Sequence, residues 1–272
     1  MNSYQGIIIA AVCLVIGGVI GVAITPAQEI KGTSVVLLEL QSEISCTLSD
    51  LDDNLARAAY DLGGTGLNTT AARTILLELN KKSSAIIDST TVSPEGVIIA
   101  AEPVAYHTVE GTDVSDQPSN RHILATKRPV MSGLLQVAEG MDAVLVSAPV
   151  FLRGGTSGQP DGQFIGVTTV VIRPETLIGQ VATPIVEGTG YSITVVDLDG
   201  RVLYDTDPDQ IGLPLDDPVY TRYPQLITFV TRVTKERQGQ GTYTFRDQTK
   251  EATWTTVSLH GTEWRVAVTQ TI

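Results

Sequence analysis

The chain has 272 residues, enough for one large or two small domains, and 42% of them are apolar, too many for a mostly disordered polymer. Eighteen Lys and Arg stand against 30 Asp and Glu, so the formal charge is −12, which repels phosphate backbones and argues against a nucleic-acid partner. Two cysteines, Cys13 and Cys46, make neither a disulfide framework nor a zinc site.

Residues 6–25 (GIIIAAVCLVIGGVIGVAIT) carry no charge and reach roughly 30 Å as a helix at about 1.5 Å per residue, the thickness of a hydrocarbon core. They predict a membrane anchor over residues 1–26. The alternative is a cleaved signal peptide, whose apolar part is only about 7–15 residues and follows a basic start. Here MNSYQ has no Lys or Arg, and Pro26 follows Thr25 where cleavage would fall. Flanking cations are too few for the positive-inside rule, so an outward-facing, single-pass arrangement rests on the acidic bulk that follows.

Next, apolar residues recur in steps of three and four at Leu37, Leu40, Ile44, Leu48, Leu51, Leu55, Ala58 and Leu62. The spacing predicts one long helix over 27–63, stopped by Gly63-Gly64. Its stripe is expected to pack on its own domain over the C-terminal half and to be partly free near the membrane. Because Leu37, Ile44, Leu51 and Ala58 also keep heptad spacing, a homodimeric coiled coil is the alternative. A second helix is predicted over 70–81, and Asn68-Thr69-Thr70 before it is a glycosylation sequon, meaningful on an extracytoplasmic side.

Beyond residue 84 the pattern turns to strands. Ala85-Ile86-Ile87 and 97–101 flank a turn at Ser93-Pro94-Glu95-Gly96. Strands over 143–150 and 164–172 enclose a glycine-rich loop at 154–158, and Arg173-Pro174-Glu175 opens a short helix through Val181. A similar order follows: 191–196, a turn at Asp197-Leu198-Asp199-Gly200, then 201–205, a helix near 225–236, and strands at 241–246, 252–259 and 264–270. The fold class is α+β, two modules of roughly 100 residues in tandem behind one helix.

Several of these segments carry a family likeness. Val109-Glu110-Gly111-Thr112-Asp113-Val114-Ser115-Asp116, Lys127-Arg128-Pro129-Val130-Met131-Ser132, Glu139-Gly140, Ala148-Pro149-Val150-Phe151 and Gly162-Gln163-Phe164-Ile165-Gly166-Val167 resemble the first module of a double Cache domain. In the second module the same holds for residues 196–205, Gly241-Thr242-Tyr243 and Trp264-Arg265-Val266. The resemblance implies an extracytoplasmic sensor built from two PAS-like antiparallel sheets on a long helix: a membrane-distal module at 64–183, usually the one that holds the ligand, and a membrane-proximal module at 184–272. The amino-acid-binding subgroup places an arginine and aromatics where this chain has Gln117-Pro118-Ser119-Asn120, and an aspartate where it has Val171. An α-amino acid is therefore a poor fit, and Arg121, His122 and Arg128 remain as anchors for an anionic ligand. The candidate ligand-binding residues are Tyr106, His107, Arg121, His122 and Ser147, in a first-module pocket between the 106–131 segment and the strands at 143–150 and 164–172.

Other chemistry finds little support. His107, His122 and His260 are not at metal-binding spacing, and neither a GxSxG elbow nor a GxxxxGK loop occurs. Asp205, Asp207 and Asp209 alternate like a calcium loop, but Gln210 and Asp216 replace its glycine and closing glutamate, so an acidic surface turn is the simpler reading. Tyr220, Tyr223, Tyr243, Trp254 and Trp264 read as second-module core. The expected function is a membrane-tethered, extracytoplasmic, non-catalytic sensor of a small polar or anionic solute, without a cofactor. The chain ends at Ile272 straight after a strand, so the expectation is either a tethered binding protein whose output a separate signalling protein provides, or a sensor fragment parted from its output domain. The alternative is a surface structural or adhesion module with a filled pocket, and an extracytoplasmic hydrolase is third.

Overall fold

The structure, a computed structural model, describes residues 32–155 and 160–272. The expected anchor at 6–25, Cys13 and residues 156–159 of the glycine-rich loop lie outside the described residues. Among the described residues no helix is long and apolar enough to cross a membrane.

The three-and-four stripe forms helix α1 (Thr33–Thr65), which buries Val36, Leu37, Leu40, Ile44, Leu48, Leu51, Leu55, Ala58 and Leu62. Burial begins with the first turn, so the N-terminal half is packed as well as the C-terminal half. This corrects the expectation of a partly free half, because the second sheet lies against that end: Gln41 Nε2 donates to the Thr256 carbonyl at 2.9 Å. Gly63-Gly64 does not stop the helix. A Cβ on Gly63 would meet the Phe151 carbonyl oxygen at 2.2 Å, so that glycine permits close packing, and the stop falls at Gly66, φ +82°. Helix α2 (Thr70–Asn80) starts where Thr69 accepts the Ala72 N–H at 3.1 Å, so the sequon threonines serve as cap and first helical residue.

The first sheet contains β1 (Ile86–Val92), β2 (Ile98–Glu102), β3 (Val130–Met131), β5 (Asp142–Phe151) and β6 (Phe164–Ile172) in the order β2-β1-β6-β5-β3, with β4 (Leu135–Gln136) pairing beside β5. Strand β1 extends well past Ile87, since the polar run Asp88-Ser89-Thr90-Thr91 is buried within it. Ser89 donates to Asn80 at 2.8 Å and Thr91 to the Leu67 carbonyl at 2.8 Å, which fastens one face of the strand to the helices. Over the other face lie a 3-10 helix at Val104–Val109 and helix α3 (Pro118–Thr126), the latter inside a segment expected to be irregular. Pro118 stands in its first turn, where a missing N–H costs nothing.

Helix α4 (Pro174–Val186) leads to the second sheet, β8-β7-β11-β10-β9, made of β7 (Ser192–Val196), β8 (Val202–Asp205), β9 (Gly239–Phe245), β10 (Gln248–Leu259) and β11 (Thr262–Thr271). Every pairing is antiparallel. Alternation sets two faces: Ile193, Val195, Val266 and Val268 join the core shared with α1, while Val196, Ala252, Trp254 and Ala267 face α5 (Pro218–Thr221) and α6 (Pro224–Lys235). The two sheets thus share one core along α1, and each carries a separate covering layer on its outer face.

Candidate functional site

The structure does not bring the five predicted ligand residues to one cavity. His107 is half-buried in an ion-pair cluster, its Nε2 3.1 Å from Glu102 Oε1, and Arg73 of α2 bonds both Glu102 at 3.0 Å and Glu110 at 2.8 Å. Those bonds, to Glu110 first, push the Arg73 guanidinium up and hold the Glu110 carboxyl low. The cluster fastens the 3-10 helix to α2. Tyr106 packs between two apolar clusters of the covering layer. Arg121 and His122 are exposed on α3, and Arg121 donates to the Asp116 carbonyl at 2.9 Å. Ser147 is fully buried and shares a hydrogen bond with Thr169 at 2.8 Å.

Beneath that layer lies a cavity of about 20 Å³, lined by Thr90, Val92, Asn120, Glu139, Thr169 and neighbouring apolar residues. One ordered water fills such a space. Asp88, fully buried on the same face, accepts no hydrogen bond from a protein N–H or hydroxyl and has the carboxyl of Glu139 as its neighbour. Burial, and then the like charge of Glu139, push its carboxyl far above the usual range, so it is a neutral acid near pH 7.

The larger space is in the second module, a cavity of about 180 Å³ between the outer face of the sheet and α6. Small side chains make its floor: Ser192 and Thr194 on β7, Ala252 on β10, Ala267 and Thr269 on β11. Leu226, Phe229, Val230 and Val233 of α6 form the roof, and Tyr220 of α5, Tyr243 and Phe245 of β9 form an aromatic wall. Phe229 and Tyr243 stack at 4.7 Å. Helix α6 is held down at its C-terminal end by buried Arg265, whose guanidinium donates to the carbonyls of Val233, Thr234 and Glu236 while pairing with Glu263 at 2.8 Å.

One end of the cavity is polar. Asp205, 7% exposed, accepts the Thr194 hydroxyl at 2.6 Å and the Asp207 N–H at 2.8 Å. Burial pushes its carboxyl up to about 6, against the pull of those two donors and of Lys250. Asp207 is paired with Arg246 at 2.9 Å. Arg246 and Asp247 form the two-residue β9–β10 turn with φ +50° and +59°, which places the guanidinium on the cavity rim. Burial raises the Tyr220 hydroxyl and takes that of Tyr243 to about 12, so both stay neutral donors. Among the described residues no cluster of His, Cys, Asp and Glu is placed to hold a metal ion.

The cavity residues were visible in the sequence but read otherwise: Asp205 and Asp207 as an acidic turn, Tyr220 and Tyr243 as core. Asp205 instead ends a buried strand, and the two tyrosines face open space. The signal that could have located it is the small-residue content of one face of β7, β10 and β11 opposite a strongly amphipathic helix.

Residues 46–174 match the sensor-domain family described as HK/GC/Chemotaxis protein-like. An extracellular ligand binding receptor from Desulfohalobium retbaense is similar in structure over 88% of this chain, with 28% identity and a TM-score of 0.74, and this chain spans 40% of that receptor's length. The ligand-binding domain of the Pseudomonas fluorescens chemoreceptor CtaA, solved with L-alanine, is 15% identical, with a TM-score of 0.61 over 88% of this chain and 95% of that one. That of the Pseudomonas aeruginosa amino acid chemoreceptor PctC, solved with GABA, is 18% identical, with a TM-score of 0.62 over 87% and 96%. No match is found among curated proteins. Two antiparallel sheets with outer covering layers on one long helix therefore share the fold of these extracellular ligand-binding domains, and residues 46–174 resemble the sensor domains of the HK/GC/chemotaxis type.

Proposed function

We propose that this protein is an extracytoplasmic, non-catalytic ligand-binding sensor, tethered through residues 1–26, that reports its occupancy to a signalling partner. The modules divide at about residues 183 and 184, and the solute binds in the second, membrane-proximal one. The observation that carries this reading is the cavity of about 180 Å³ under α6. An engineered apolar cavity of about 150 Å³ takes up a benzene molecule, so a solute of that order fits. A filled fold retained only for structure or adhesion would leave no such space, and the first-module site built on Tyr106, His107, Arg121, His122 and Ser147 has no comparable one. Polar groups converging at one end of an otherwise apolar pocket are the general signature of a small-molecule site.

A thermal-shift screen of the full chain against amines, organic acids, purines and sugars tests the reading. A true ligand at about 100 times its Kd adds about 2.7 kcal/mol, which raises Tm by roughly 5–10 °C in a chain of this size. The shift should vanish in Ala267→Trp, which fills the cavity floor. A shift that persists in that variant would place the ligand elsewhere.

A further inference from the structure

Three features of the second-module cavity narrow what it accepts. Asp205 is a buried acid in its wall, and its carboxylate has about four acceptor positions, of which Thr194 and the Asp207 N–H fill two. No cation lies within ion-pairing distance of it among the described residues, whereas its neighbour Asp207 is neutralised by Arg246 at 2.9 Å. The wall beside it is aromatic, with Tyr220 and Phe245 at 6.1 Å between centroids and Phe229 stacked on Tyr243. Ring faces carry negative potential and attract organic cations. Beyond the cavity, a protein of net charge −12 concentrates cations around itself.

Resting on the reading of this cavity as the binding site, we infer that it takes an organic ammonium ion, with the charged nitrogen donating to Asp205 and the apolar body against Phe229, Tyr243 and Phe245. Lys250 and Arg246 at the rim and Arg265 in the lining are the groups that would serve an anion instead, and Arg265 is committed to Glu263 and to the carbonyls of α6. Arg246 is already committed to Asp207, and Lys250 lies toward the Phe245 ring, 5.8 Å from its centroid. The ionisable groups facing Asp205 are Asp207 from the loop after β8, Tyr220 from α5, Tyr243 from β9 and Lys250 from β10. Burial holds the Asp205 carboxyl near 6, so an ammonium bound to the ionised form should bind more tightly as pH rises through that value.

Three probes of one shape separate the charge classes: benzylammonium, benzyl alcohol and benzoate, measured by calorimetry on the full chain. Benzylammonium should bind one to one, and the neutral and anionic probes at least tenfold more weakly. Asp205→Asn should weaken benzylammonium at least tenfold while keeping a cooperative melt, and Lys250→Met should leave it equal or tighter. If Asp205→Asn does not fold, wild-type affinity for benzylammonium should still fall at least threefold between pH about 7.5 and about 5. Benzyl alcohol or benzoate binding as well as benzylammonium would overturn the ammonium assignment and leave the cavity as the site. No detectable benzylammonium binding, or binding indifferent to Asp205→Asn and to pH, would overturn it too. Benzylammonium binding that persists in Ala267→Trp would overturn the cavity reading together with the ammonium assignment.

Discussion

The two modules solve the same packing problem with opposite results. Each turns one face of an antiparallel sheet to a core shared along α1 and covers the other face with helical segments. In the first module the outer face of the central strands presents Leu145, Val167 and Val171, which meet α3 and the connections around it and leave about 20 Å³. In the second, the corresponding face presents Ala252, Ala267, Thr194 and Thr269 beneath α6 and leaves about 180 Å³. The size of the cavity therefore goes with the side-chain volume of the strands together with the layer that covers them. The buried acids differ in the same way: Asp88 sits in packed protein with no N–H or hydroxyl donor, and Asp205 sits at a cavity wall with two.

Whether the modules are independent is tested most severely on the helix that backs both. Leu55 is fully buried in the α1 stripe. Leu55→Asp removes its packing and leaves a charge without a counterion, a loss on the order of 5 kcal/mol. Circular-dichroism melting should show one transition displaced for the whole chain. An unchanged second transition would mean that the modules fold separately and that the shared core has little energetic weight.

The two acids should separate on a pH axis. The folded carboxyl of Asp88 is raised, so the native state holds a proton that the unfolded chain has already released. The stabilisation is complete below the ordinary aspartate range near pH 4 and is lost as pH rises, by up to about 1.4 kcal/mol per unit. Asp205, raised only to about 6, contributes the same sign but finishes near that pH. Denaturant unfolding between pH about 6.5 and 8 therefore lies above the Asp205 range, and wild type should lose stability across that interval through Asp88 and the Glu139 carboxyl beside it. Asp88→Asn should flatten the slope and be the more stable protein at the alkaline end. A wild-type curve that is already flat would show that Asp88 ionises freely.

The covering layer of the first module is fastened by the Arg73 cluster, and the cation is its weak point. Arg73→Met leaves Glu102, 5% exposed, and Glu110 without their shared partner. Glu102 keeps His107 and Glu110 keeps the Ala101 N–H, so the loss of the shared cation should cost about 1–2 kcal/mol. Hydrogen exchange should localise the loss to the 3-10 helix at Val104–Val109 and the end of β2, with the second module unaffected. Equal loosening of both modules would show that the cluster is not a local clamp.

How much of this was legible depends on whether a neighbour in space was needed to read it. The α1 stripe, helix α2, and the strands at 143–150 and 164–172 follow from local periodicity, and the structure has them within a few residues. Strand β1 was cut short because Asp88-Ser89-Thr90-Thr91 is polar, and only its partners Asn80 and Leu67 explain the burial. Gly63 read as a stop because its reason, the carbonyl of Phe151, lies almost ninety positions away. The site residues were hardest. Arg121 and His122 carry chemistry by type but stand in solvent, whereas the cavity is defined by alanines, serine and threonines that announce nothing singly. A space is legible only when both walls are known.

The smallest expected effect tests the packing contrast itself. Ala267, on the floor of the second-module cavity, has room for two more methyl groups above it, each worth about 0.8 kcal/mol when buried before rotamer and strain costs. Ala267→Val should therefore stabilise by about 0.5–1 kcal/mol, and the β-branched side chain suits the strand. Ala143 is the matched control: it lies near the start of β5 on the outer face of the first sheet, is fully buried among Ile87, Leu145 and Val171, and does not line the first-module cavity. Ala143→Val adds the same atoms to filled space and should destabilise by about 1–3 kcal/mol. Chemical denaturation of the two variants gives the sign directly. Two losses of similar size would mean that the second-module space closes in solution, because α6 can only resist the added methyl groups if it already rests on the floor. Opposite signs would show that the second module keeps open, at a cost in stability, a space that the first has filled.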